Sequence, residues 1–133
     1  MAGDKEEALA AMEASRAHGE KESVSPVWMQ YHMSLMAECA EDFRDARAVD
    51  YATASVELAD KHTPGSRSAF MARFALGRVR LMFQEAVEAQ REFERARESL
   101  IELQQRSGKR GGRMLTELES WVERAKASQD NKP

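Results

Sequence analysis

The chain is predicted to be all-α, and three observations carry that prediction. Its long stretches are rich in Ala, Glu, Arg, Leu and Met, the residues that lose least on entering a helix. The breakers stand apart from those stretches: prolines occur only at positions 26, 64 and 133, and glycines gather at Gly65 and over 108–112. Apolar residues recur at helical spacing, as in Phe93, Ala96 and Leu100. A chain of 133 residues is one domain's worth and buries about two thirds of its unfolded surface.

The elements follow in order. A first helix starts at Gly3, carries Asp4, Glu6 and Glu7 in its opening turn where the helix dipole favours acids, and ends near His18-Gly19. Ser25-Pro26 starts the second, with Ser as N-cap and Pro where a missing N–H costs nothing. It runs to about Ala40, and Trp28, Met29, Tyr31, Met33, Leu35 and Met36 almost encircle it. A helix of that kind is buried on most sides or keeps one apolar face for a ligand. Glu41 to Ala46 then repeats the shape of Gly3 to Ala8, and a third helix reaches about Lys61, where His62-Thr63-Pro64-Gly65 stops it. The fourth spans Arg67 to Phe83, and Gln84 to Ala89 gives the turn motif again. The fifth reaches about Gln105 with Phe93, Ala96 and Leu100 on its buried side. A basic Gly-rich loop, 106–113, precedes a last helix marked by Leu115, Leu118, Trp121, Val122 and Ala125.

Leu76-Gly77 on the fourth helix and Ala89, Phe93 and Ala96 on the fifth place small residues where two helices cross and a large ring beside them. This series resembles the tetratricopeptide repeat, a helix-turn-helix unit with Leu-Gly in its first helix and Ala, aromatic, Ala in its second. Trp28, Tyr31 and Leu35 keep the family's first-helix spacing, although His32 stands where a Gly is usual and implies a wider crossing. The turn motif recurs at Gly3, Glu41 and Gln84, intervals of 38 and 43 residues, against about 34 in the commonest form. The resemblance implies a right-handed array of antiparallel hairpins in one domain, 1–127. It comprises a half repeat over 3–18, repeats over 26–61 and 67–105, a capping helix over 113–127 and a disordered tail over 128–133. The chain then opens in mid-repeat, either as part of a longer protein or with an unpaired helix that something covers.

Composition excludes several chemistries. A single cysteine, Cys39, leaves no disulfide within the chain and no multi-cysteine metal site. The three histidines show no metal-ligand spacing, and no phosphate loop, nucleophile elbow or Glu-x-x-His motif is present. Neither an enzyme nor a cofactor is expected, and charges interrupt every apolar run, so the expectation is a cytoplasmic protein. Charge is uneven: residues 1–62 carry 6 Lys+Arg against 13 Asp+Glu, and 63–133 carry 14 against 10. That polarity suits an oppositely charged partner or self-association. Arg106, Lys109, Arg110 and Arg113 offer phosphate contacts but lack neighbouring aromatics on which bases stack, which argues against nucleic acid.

In arrays of the resembled kind the first helices line a concave groove. Carried over, that makes Met29, Gln30, Met33, Met36, Met71, Phe74, Arg78 and Met82 the candidate ligand-binding residues. Methionine's flexible thioether suits an apolar peptide or helix of another protein, with Arg78 as a polar anchor. The same methionines also suit a core closed by the final helix or by a second copy, the more frequent role of such a stripe. The family's chaperone-tail clamp is absent, because its Lys and Asn positions fall at Met29, Met33 and Met71 and its Arg position at Ala75. The expected function is a protein-interaction module. The alternatives are an effector-sensing or oligomerisation domain of a bacterial transcription regulator and, further off, a helical-bundle enzyme.

Overall fold

Ser-capped helix starts and left-handed helix ends set the architecture. The computed structural model describes residues 2–108 and 112–130. They form α1 (Ala2–Lys21), α2 (Pro26–Asp42), α3 (Arg47–His62), α4 (Arg67–Met82), α5 (Ala86–Ser107) and α6 (Gly112–Asp130), with no strand among the described residues. The chain is all-α. Ser25 Oγ accepts from the Trp28 N–H at 3.1 Å, and Ser66 Oγ accepts from the Ala69 N–H at 3.1 Å, so α2 and α4 begin in the same way.

Three helices end in one device. Asp45 N–H donates to Ala40 O at 2.8 Å and Arg44 N–H to Glu41 O at 2.9 Å; Glu85 and Gln84 repeat this with Arg80 and Leu81, and Val24 and Ser23 with Gly19 and Glu20. This paired closure needs a left-handed residue, taken here by Arg44 (φ 54°), Gln84 (φ 62°) and Ser23 (φ 53°) without glycine. α1 therefore runs past its expected stop at Gly19. That glycine is buried inside the helix, where an added Cβ would sit 2.7 Å from the Trp28 ring, so it serves close packing and not termination.

Each helix packs on its chain neighbours, and α6 also returns to α4. Two apolar cores result. Leu9, Met36, Ala40, Val56, Leu76 and Val79 belong to the first, between α1, α2, α3 and α4. Phe70, Phe74, Phe93, Leu118 and Val122 belong to the second, between α4, α5 and α6. α4 contributes to both, with Leu76 and Val79 on one side and Phe70 and Phe74 on the other. Gly77 lies directly under Phe93, whose ring is fully buried. The small-residue crossing read from the sequence is present.

Polar ties hold the layers in register. Arg73 on α4 bonds Glu92 of α5 at 3.0 Å and Asp60 of α3, joining three helices. Asp45 accepts from Arg47 at 2.8 Å and pairs with Lys5 of α1 at 3.2 Å; these bonds, led by that from Arg47, hold its carboxyl well below the usual range. Burial, and then Glu13 of α1, push the Tyr51 phenol up to about 12. His32 is buried against α1, where its Nε2 donates to Met12 O at 3.0 Å and its ring stacks on Trp28 with centroids 4.9 Å apart.

At the C-terminus the fold corrects the expected tail. α6 continues through Ser128 to Asp130, because Gln129 Nε2 reaches back to Gln90 Oε1 at 2.6 Å and to Ala86 O at 3.4 Å. The remainder of that segment, 131–133, lies outside the described residues.

Candidate functional site

α2 and α4 begin alike and each is followed by a helix that doubles back, so they run side by side in the same direction. Between them lies a groove of about 300 Å³. Gln30, Tyr31, Ser34 and Glu38 form the α2 wall, and Arg67, Met71, Ala75 and Arg78 are prominent on the α4 wall. The α4 set is spaced i, i+4, i+8, i+11, one face of a helix. On α2 the outward ridge is Val27, Tyr31 and Leu35, spaced i, i+4, i+8 and exposed at 61%, 62% and 36%. Met71 faces this ridge across the groove and is 39% exposed.

A hydrogen-bonded polar set backs the α2 wall. Ser55 of α3, 2% exposed, shares a hydrogen bond with Ser34 at 2.7 Å, and Gln30 Nε2 donates to Ser55 Oγ at 3.0 Å. These bonds orient Gln30 and Ser34 on the α2 wall of the groove. At its far end Arg78 donates to Glu41 at 3.3 Å and lies over the Phe74 ring, 5.0 Å from the centroid. Arg67, at the first turn of α4, has no carboxylate partner among the described residues.

The eight residues singled out from the sequence separate into three groups. Gln30, Met71 and Arg78 line the groove. Met33 and Met36, 6% and 0% exposed, belong to the first core, and Phe74, 4% exposed, belongs to the second. Those three are corrected to core positions. The reason is geometric: Met33 and Met36 fall on the side of α2 that meets α1 and α3, while Phe74 is covered by Trp121 of α6 (centroids 6.2 Å, edge-on) and by Phe93 (6.0 Å). Met29 is half-buried away from the groove, and Met82 is half-buried at a second hollow with Arg78, Leu81, Trp121 and Glu41.

Tyr31, Ser34, Glu38 and Arg67 escaped the sequence reading. Their signal was the arc of α2 left over once the core residues are set aside, which one sequence does not divide until α1 and α3 have been placed. Of the basic loop, Arg106 is held by its bond to Gly65 O, Arg113 opens α6, and Lys109 and Arg110 lie outside the described residues. Among the described residues no three His, Cys, Asp or Glu side chains group as metal ligands, and no helix is long and apolar enough to cross a membrane. Compared with known proteins, the chain matches no family model, no curated protein and no solved structure.

Proposed function

We propose that the chain is a protein-interaction module, built as a tetratricopeptide-like array, that binds a peptide or helix of another protein along the α2–α4 groove. One observation carries this reading. Tyr31 and Met71, two of the eight large apolar side chains exposed among the described residues, line the groove, and Val27 and Leu35 flank Tyr31 on the same ridge of α2. Exposed apolar side chains in a trough with a hydrogen-bonded polar wall have the anatomy of a peptide-binding face. Apolar burial drives association there, and Gln30 and Ser34 offer hydrogen bonds to the ligand backbone. The methionine contribution narrows to Met71.

The test compares the wild type with the double variant Tyr31→Asp/Met71→Asp. Both positions are exposed, so the variant keeps its helical circular dichroism while its apolar walls become charged. Each protein is immobilised and challenged with extract from the native host. Retention of the same proteins by both forms refutes the groove as the binding face.

A further inference from the structure

The charges around the groove are arranged as unevenly as its apolar groups. Every acidic residue of α2 stands in its last turns, at Glu38, Glu41 and Asp42, and the helix carries neither Lys nor Arg. α4 carries four arginines and no acid. Two of the four are consumed elsewhere, Arg73 by Asp60 and Glu92 and Arg80 by Glu85. Arg78 is neutralised across the groove by Glu41, a pair that joins the C-terminal ends of α2 and α4. Three charges remain without an ion-pair partner among the described residues: Arg67 at the N-terminal end, and Glu38 and Asp42 at the C-terminal end.

We infer that the groove accepts its partner segment in one orientation. An acidic side chain sits against Arg67, apolar side chains fill the middle against Tyr31 and Met71, and a basic side chain lies toward Glu38 and Asp42. The inference rests on the groove reading above and adds the partner's chemistry to it. Arg67 and Arg78 are eleven residues apart on α4, about 16 Å at 1.5 Å per residue. That span fits three turns of a helical ligand between its charged ends. Apolar contact supplies affinity in this arrangement, and the charges supply direction, since a reversed ligand places like charges together at both ends.

The experiment pans a displayed library of random twelve-residue peptides on the wild type, on Arg67→Glu and on Tyr31→Asp/Met71→Asp. Expected on the wild type are sequences with Asp or Glu at one end, apolar residues in the middle and Lys or Arg at the other end. A selected peptide should lose about tenfold or more in affinity on Arg67→Glu and much less on Arg67→Lys, and its charge-reversed isomer should bind weakly. Apolar peptides without charge order, unaffected by Arg67→Glu, would overturn the orientation and leave the groove reading standing. Equal recovery on wild type and double variant would overturn both. So would a concentration-dependent dimer in sedimentation that the double variant disperses, which places a second copy in the groove.

Discussion

Replacing Gly77 by Ala tests whether the α4–α5 crossing is as close as it is described. The added Cβ would stand 2.5 Å from Phe93 Cε1 and 2.7 Å from its Cδ1, where carbon contacts favour about 3.5–4.0 Å. The ring has nowhere to go: it is fully buried, with Phe74 and Trp121 centroids 6.0 and 5.7 Å away. Overpacking of this kind costs about 1–3 kcal/mol, and an overlap near 1 Å belongs at the upper end. Against it stands the helix preference of Ala over Gly, about 1 kcal/mol. The net expectation is a loss of about 2 kcal/mol, which for a domain of this size lowers the melting temperature by roughly 8 °C. Urea unfolding followed by circular dichroism measures it. Gly19→Ala is the comparison: its Cβ would meet the Trp28 ring at 2.7 Å, but that ring is 39% exposed and can shift where Phe93 cannot, so the loss should be smaller than at Gly77. A Gly77→Ala protein as stable as the wild type, or more so, would mean that helix preference outweighs the clash and that the close crossing is wrongly described. The double variant Gly77→Ala/Phe93→Leu should lose less than the sum of its two single changes, because a smaller side chain vacates the overlap.

Three other expectations follow from the same structure. Gln84→Gly should raise stability by about 0.5–1 kcal/mol, read as a shift in the urea midpoint, because a side chain at φ 62° carries strain that glycine lacks. Asp45 has a folded-state pKa below its unfolded value near 3.9, so its contribution is present above about pH 4 and lost as pH falls further. Stability measured from pH 6 to pH 2 should therefore fall less steeply in Asp45→Asn than in the wild type; parallel curves would refute the assignment. Met33→Glu should destabilise by several kcal/mol, because an unpaired carboxylate enters the first core, whereas Met71→Glu should fold normally. Thermal melts of the pair separate core from groove.

The helices were legible because their signals are local. Ser25-Pro26, Thr63-Pro64-Gly65 and Gly108 mark boundaries by backbone chemistry alone, and Gly77, Ala89 and Phe93 announce a close crossing by size. The site was only partly legible. Trp28 to Met36 is apolar on nearly every side, so its pattern does not divide core from groove. That division depends on which arcs α1 and α3 cover, a long-range fact that periodicity does not encode. Phe74 shows the same limit, since the groove assignment failed once α6 returned to place Trp121 over it. Arg67 entered the sequence reading only as the start of a helix, and its lack of a carboxylate partner shows only when the partners of the other three arginines of α4 are known. Gly19 misled for the opposite reason: a small residue that looks like a stop was needed for contact with Trp28.

Because α4 supplies apolar side chains to both cores, it has no half-folded state that leaves its neighbours intact. Losing the helices on either side strips one flank of α4 bare, and the exposed flank then weakens what remains on the other. The two hairpins should therefore melt in a single transition, with the amides of α4 exchanging with solvent only through global opening. α1 packs chiefly on α2, with Glu6 and Glu13 reaching Arg47 and Tyr51 of α3. The groove is thus bounded on one wall by the slowest-opening segment of the molecule, so a ligand of the proposed kind would meet a surface already rigid, with little ordering left to oppose binding.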